Sequence, residues 1–121
     1  MRESELNKDM QLNKSESVIK QSRANLQTDF IVPKAGTLVL TNMRLMFIPD
    51  KFTNVKQEPS GPVSIDISDI KGVGKKGGDL GNLLAGSFRN RLQIEGGGRL
   101  YIFQVHSLNG WITAIEAAIR R

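Results

Sequence analysis

Hydrophobic and polar positions alternate in steps of two along most of this chain, and only its C-terminal end changes to a helical period. Between residues 16 and 27, Val18, Ala24 and Leu26 fall on one parity and Ile19, Gln21, Arg23 and Asn25 on the other, which predicts a first strand. The stretch 36–49, GTLVLTNMRLMFIP, sets two β-rich runs on either side of Thr41-Asn42-Met43. Asparagine tolerates the positive φ of a tight turn, so the stretch reads as a hairpin. Leu38 and Leu40 share one face with Leu45, Phe47 and Pro49, and the opposite face carries Thr37, Val39, Thr41, Arg44, Met46 and Ile48. Both faces have apolar residues, as expected of a sheet folded over on itself.

Residues 50–62, DKFTNVKQEPSGP, hold two prolines and no period, and are expected to form a loop. Val63, Ile65 and Ile67 then alternate with Ser64, Asp66 and Ser68, and residues 70–75 add another strand after a kink at Asp69. A glycine-rich connection covers 77–86. Strands are expected over 88–95 and 99–105, turned by Gly96-Gly97-Gly98. In the tail, Leu108, Trp111, Ile112, Ile115 and Ile119 recur at the 3.6-residue period, with Ser107 or Asn109 placed to cap the helix. Such a helix is stable only when docked on the sheet, with Trp111 as its anchor.

The chain's 121 residues suffice for one hydrophobic core, read here as a polar arm over 1–15 followed by one domain over 16–121. Leu6 and Met10 alone have helical spacing in the arm, enough for one weak turn. With no cysteine, disulfides and thiolate metal sites are excluded, which fits a cytoplasmic protein. No apolar run is long enough for a signal peptide or a membrane span. The net charge of +5 favours anionic partners, and the segment 71–99 carries six basic residues against two acidic ones.

The run Gly36-Thr-Leu-Val-Leu-Thr-Asn-Met-Arg-Leu-Met-Phe47 resembles the signature hairpin of GRAM domains, a branch of the pleckstrin-homology-like superfamily. SIDISDIKGV at 64–73 and Gly81-Asn-Leu-Leu84 extend the likeness over about residues 16–120. The resemblance implies a mainly β fold: a seven-stranded, bent antiparallel sandwich capped by one C-terminal α-helix. It also implies a non-enzymatic module that binds lipid or protein. One departure stands out. Inositol-phosphate pockets of the superfamily use a cluster of Lys and Arg between the first two strands, and the matching stretch 27–35, QTDFIVPKA, offers only Lys34 and carries Asp29.

Sharper chemistry finds little support. Gly72-Val-Gly-Lys-Lys-Gly77 matches GxGxxG but opens no helix, so it fails as a dinucleotide site. Asp66 and Asp69 read as turn residues, and His106, the single histidine, as support for the helix cap. No metal, cofactor or catalytic constellation emerges. Arg44 is expected on the outer face of the hairpin, its stem packed on neighbours.

The candidate binding surface is Lys71, Lys75, Lys76, Arg89 and Arg91, facing an anionic phospholipid or a protein partner, with the protein peripheral at a membrane. A nucleic-acid-binding β-barrel is the alternative, disfavoured because Phe47, Phe88, Phe103 and Trp111 are expected in the core. A homo-oligomer is expected if Val39, Met46 and Ile48 remain exposed.

Overall fold

The computed structural model describes residues 12–27, 33–50, 62–76 and 91–120. Their alternating patterns become β1 (Val18–Leu26), β2 (Lys34–Thr41), β3 (Arg44–Pro49), β4 (Val63–Asp66), β5 (Ile70–Lys76), β6 (Arg91–Gly96) and β7 (Arg99–Val105), followed by helix α1 (Leu108–Ile119). The strands form one antiparallel sheet in the order β4-β3-β2-β1-β7-β6-β5. β4 and β5, consecutive in the chain, therefore lie at opposite edges.

The sheet has to curl, because residues from every strand meet in one core. Ala24, Leu38, Leu40, Leu45, Phe47, Ile65, Ile70, Leu92, Ile94 and Phe103 are buried together with Trp111, Ile115 and Ala118 of α1. Phe47 and Phe103 come from strands that are not neighbours in the sheet, yet their ring centroids are 5.6 Å apart. Near the two edges the approach is closer still: a Cβ on Gly96 of β6 would lie 2.9 Å from Ile65 Cγ2 of β4.

The link between β4 and β5 corrects one expected strand residue. Ile67–Asp69 form a 3-10 turn, so the alternation that included Ile67 stops at Asp66. The turn is held by the backbone: Asp66 makes no side-chain cap bond, and the Asp69 carbonyl accepts the Gly97 N–H at 3.4 Å. Gly72 and Gly74 lie inside β5, which removes the strand-to-helix setting a dinucleotide motif needs.

Asn42 does not take the positive φ expected of it; among described non-glycine residues only Ser15 and Ser107 do. The β2–β3 connection is wider than a two-residue turn, with Leu40 opposite Leu45, and the Thr41 hydroxyl holds it by accepting the N–H groups of Met43 and Arg44, each at 3.0 Å. The Gly97-Gly98 turn is tight, with φ of 60° and 78°, values that favour glycine.

α1 begins after Ser107, which is left-handed and makes no side-chain cap bond, so the hydroxyl cap expected there is absent; Trp111 N–H donates to the Ser107 carbonyl at 3.0 Å. His106 is exposed at this junction. Trp111 is fully buried, donates its indole N–H to Ser22 Oγ of β1 at 3.1 Å, and lies under the ammonium of Lys20 at 5.4 Å.

The second face of the β2–β3 hairpin is covered as well. Val39, Met46 and Ile48 are buried to 1% exposure or less and Leu12 packs against them, so the apolar strip expected to await a second copy is closed.

Gly36 and Gly74 differ in the space above the backbone. A Cβ on Gly36 would collide with the Ile48 carbonyl oxygen and meet the Phe47 ring at 2.7 Å; on Gly74 it would meet nothing within 4 Å. Gly36→Ala is expected to destabilise the fold by about 1–3 kcal/mol. Gly74→Ala is expected to be neutral or to stabilise by up to about 1 kcal/mol. Urea unfolding of both variants measures the difference.

Candidate functional site

Two groups of polar side chains stand out, and they do different things. The first surrounds the β2–β3 turn. Glu16 is buried, and four donors converge on its carboxylate: Arg44 Nε at 2.9 Å and Nη2 at 3.1 Å, the Thr41 hydroxyl at 2.6 Å and the Asn13 N–H at 2.8 Å. Asn42 completes the staple. It donates its side-chain N–H to the Ser15 carbonyl at 3.1 Å and its backbone N–H to the Ser17 carbonyl at 3.1 Å, and accepts the Ser17 N–H at 2.8 Å. Thr41, Asn42 and Arg44 thus bind the segment 13–17 to the hairpin.

Arg44 does not lie on a free outer face, as its alternation suggests. Its side chain is 15% exposed against a Glu16 side chain at 0%, and the pair is bidentate. Burial pushes the Glu16 carboxyl up; the hydrogen bonds from Arg44, Asn13 and Thr41 together with the Arg44 charge outweigh it, so the group titrates below its ordinary value. Sequence reasoning passed over Glu16 because it stands among polar residues 28 positions before its partner. The available signal was an arginine on an otherwise apolar strand, which needs a counter-charge if buried.

The second group is the expected cationic surface, and the register decides what it brings together. Lys76 lies opposite Arg91 and Lys75 opposite Leu92, so the end of β5 and the start of β6 place cationic positions from two strands side by side. Lys71 is separate. It is the extra residue where the register shifts between Ile70 and Gly72, four residues or about 13 Å along β5 from Lys75. Lys71 and Lys75 are exposed and Arg91 is half-buried; Arg89 lies outside the described residues. Glu95, exposed, is the acid on the adjoining strand and faces Gly72.

Lys34, the basic residue of the stretch 27–35, is 8% exposed at the start of β2 and has a partner. It is not presented to solvent. Arg23 and Asp50 form an exposed ion pair between β1 and the end of β3, in which the Arg23 hydrogen bond holds the Asp50 carboxyl below its ordinary value. An exposed pair of this kind contributes little to stability. Among the described residues no group of three or more His, Asp or Glu is placed to hold a metal ion, and no helix is long and apolar enough to cross a membrane.

Comparison with known proteins agrees with this architecture. The family model of the GRAM domain matches residues 4–102. No curated protein sequence matches the chain significantly. Among solved structures, the C-terminal domain of an unknown protein from Leishmania infantum superposes with a TM-score of 0.65 at 14% identity, over 88% of this chain and 87% of that one. The Vps36 N-terminal PH domain gives 0.63 at 17% identity over 90% and 83%. The Slm1-PH domain in complex with phosphoserine gives 0.58 at 16% identity over 86% and 97%. At such identities the likeness is one of fold.

Removing one partner of the buried pair leaves the other charge uncompensated. Arg44→Met is therefore expected to cost about 3–5 kcal/mol, and Arg44→Met combined with Glu16→Met considerably less. Because the folded Glu16 titrates below its unfolded value, its contribution is fully present above the unfolded value and is lost as pH falls through the folded one. Denaturant unfolding of the wild type and Glu16→Gln across acidic pH should show the gap between them closing as pH falls.

Proposed function

Because the chain belongs to the GRAM-domain family, we propose that it is a non-catalytic binding module whose cationic β5–β6 end contacts anionic phospholipid headgroups. One observation carries the reading: the pairing of Lys76 with Arg91, with Lys75 beside them, gathers cationic positions from two strands at the end of a hairpin. Arg89, two residues before Arg91, extends the run in sequence, and Lys71 lies farther along the same strand. The Slm1-PH domain, a structural relative, was solved with phosphoserine, an anionic headgroup fragment.

The magnitudes make this a reversible, peripheral contact. Each basic residue near an anionic leaflet contributes about 1 kcal/mol, so a net charge of about +4 supplies about 4 kcal/mol, or roughly millimolar affinity. Several copies held together at one membrane would convert that into stable recruitment. A stacking mode for nucleic acid has less support, because Phe47, Phe103 and Trp111 are buried and Tyr101 is half-buried against Phe103.

Co-sedimentation with vesicles of phosphatidylcholine, alone or mixed with phosphatidylserine, tests the reading. The protein is expected to pellet with the acidic vesicles, less so as salt is raised, and Lys75→Glu combined with Lys76→Glu and Arg91→Glu should abolish pelleting. Equal, negligible pelleting with both vesicle types ends the lipid reading.

A further inference from the structure

The chain has no cysteine, so its four methionines carry its only sulfur, an atom readily oxidised by peroxides. Two of the four, Met43 and Met46, lie among the described residues, and they differ in access. Met46 is 0% exposed in the second apolar cluster, whereas Met43, in the β2–β3 turn, is 37% exposed. The Met43 backbone is held on both sides: its N–H donates to the Thr41 hydroxyl at 3.0 Å and its carbonyl accepts the Ile67 N–H at 3.0 Å. The side chain therefore leaves the turn from a fixed point. It reaches the segment 13–17, where the Asn13 side-chain N–H donates to Met43 Sδ at 4.0 Å.

Asn13 is fixed as well. Its N–H donates to Glu16 Oε1 at 2.8 Å and its carbonyl accepts the Glu16 N–H at 3.0 Å, so the two side chains face each other from anchored backbones. A thioether is a weak acceptor, and oxidation replaces it with a polar sulfoxide oxygen. An oxygen added on the Asn13 side of Sδ stands one bond length nearer to the amide and brings the pair into ordinary N–H···O range. The step balances with a peroxide as the oxidant. A sulfur lone pair attacks one peroxide oxygen, the S–O bond forms as the O–O bond breaks, and the proton on the transferred oxygen passes to the departing hydroxide, which leaves as water. Sulfur gives up two electrons and the peroxide takes them. Neither side chain belongs to the Glu16–Arg44 pair, so the fastening built on that pair survives the change.

We propose that Met43 is a peroxide-sensitive modification site whose sulfoxide takes the Asn13 side-chain N–H and tightens the hold of the β2–β3 turn on segment 13–17. The site goes beyond the lipid reading and shares no residue with it. Methionine sulfoxide reductases, one for each sulfoxide epimer, undo this oxidation, so the tightening is reversible.

Limited treatment of the full chain with hydrogen peroxide, followed by mass spectrometry of tryptic peptides and nuclear magnetic resonance, tests this. The peptide 35–44, which carries Met43, is expected to gain one oxygen about tenfold faster than the peptide 45–51, which carries Met46. In the oxidised protein the Asn13 side-chain amide signals should shift, and the backbone amides of Asn13, Glu16 and Ser17 should exchange with solvent about three- to tenfold more slowly. Both reductases together should restore the original rates. Met43→Leu should remove the response while leaving the other methionines open to oxidation, and Asn13→Ala should keep the oxidation but lose the slowing. Equal oxidation of Met43 and Met46, exchange that is unchanged or faster, or slowing that survives either substitution would each overturn the proposal.

Discussion

The seating of Trp111 is the contact on which the architecture depends. A helix of 12 residues is marginal by itself in water, and a curled sheet with an apolar inner face needs a cover. Each supplies what the other lacks. Trp111 enters the core with Ile115 and Ala118, and its indole N–H, which would be costly to bury unpaired, reaches the Ser22 hydroxyl 89 residues away. Lys20, on the same strand, covers the ring with its charge. β1, α1 and the strands between them are thereby tied at one point.

A second lock holds the other side of the sheet. The Thr41-Asn42-Met43-Arg44 turn looks, in sequence, like a set of polar groups available for a ligand. In the fold those groups are occupied: Thr41 and Arg44 by Glu16, Asn42 by the backbone of Ser15 and Ser17. The most distinctive part of the chain is thus a fastening for its own N-terminal segment, and Leu12 continues that segment over the second apolar cluster. Such a network is stable only when complete, since each member is desolvated at the others' expense.

The two halves of the sheet therefore have different chemistry. β2 and β3 are covered on both faces and spend their polar residues internally. β5 is an edge strand with glycines and exposed lysines, and joins β6 where their cationic positions lie opposite each other. The two glycine environments follow the same division. Gly36 is glycine because the backbone of β3 and the Phe47 ring crowd it, while a Cβ on Gly74 would meet nothing within 4 Å.

Much of this was legible in the residues. Alternation located the strands, period 3.6 located the helix, and the 36–47 run identified the family, because these are local consequences of which side chains seek the core. What local pattern could not reach was partnership at long range. Nothing near Arg44 names Glu16, nothing near Trp111 names Ser22, and the spacing of Lys71 to Lys75 and Lys76 does not reveal that the first stands apart from Arg91 while the last faces it. Turn details escaped for a related reason. Asn42 carries no positive φ and Ser107 no hydroxyl cap, since tertiary contacts on each side fix those backbones more firmly than the residues' own preferences. The sequence by itself determined which positions are apolar and with what period. The tertiary structure alone decided which charges are buried against each other and which reach water, because pairing depends on distances that arise only once the sheet has curled.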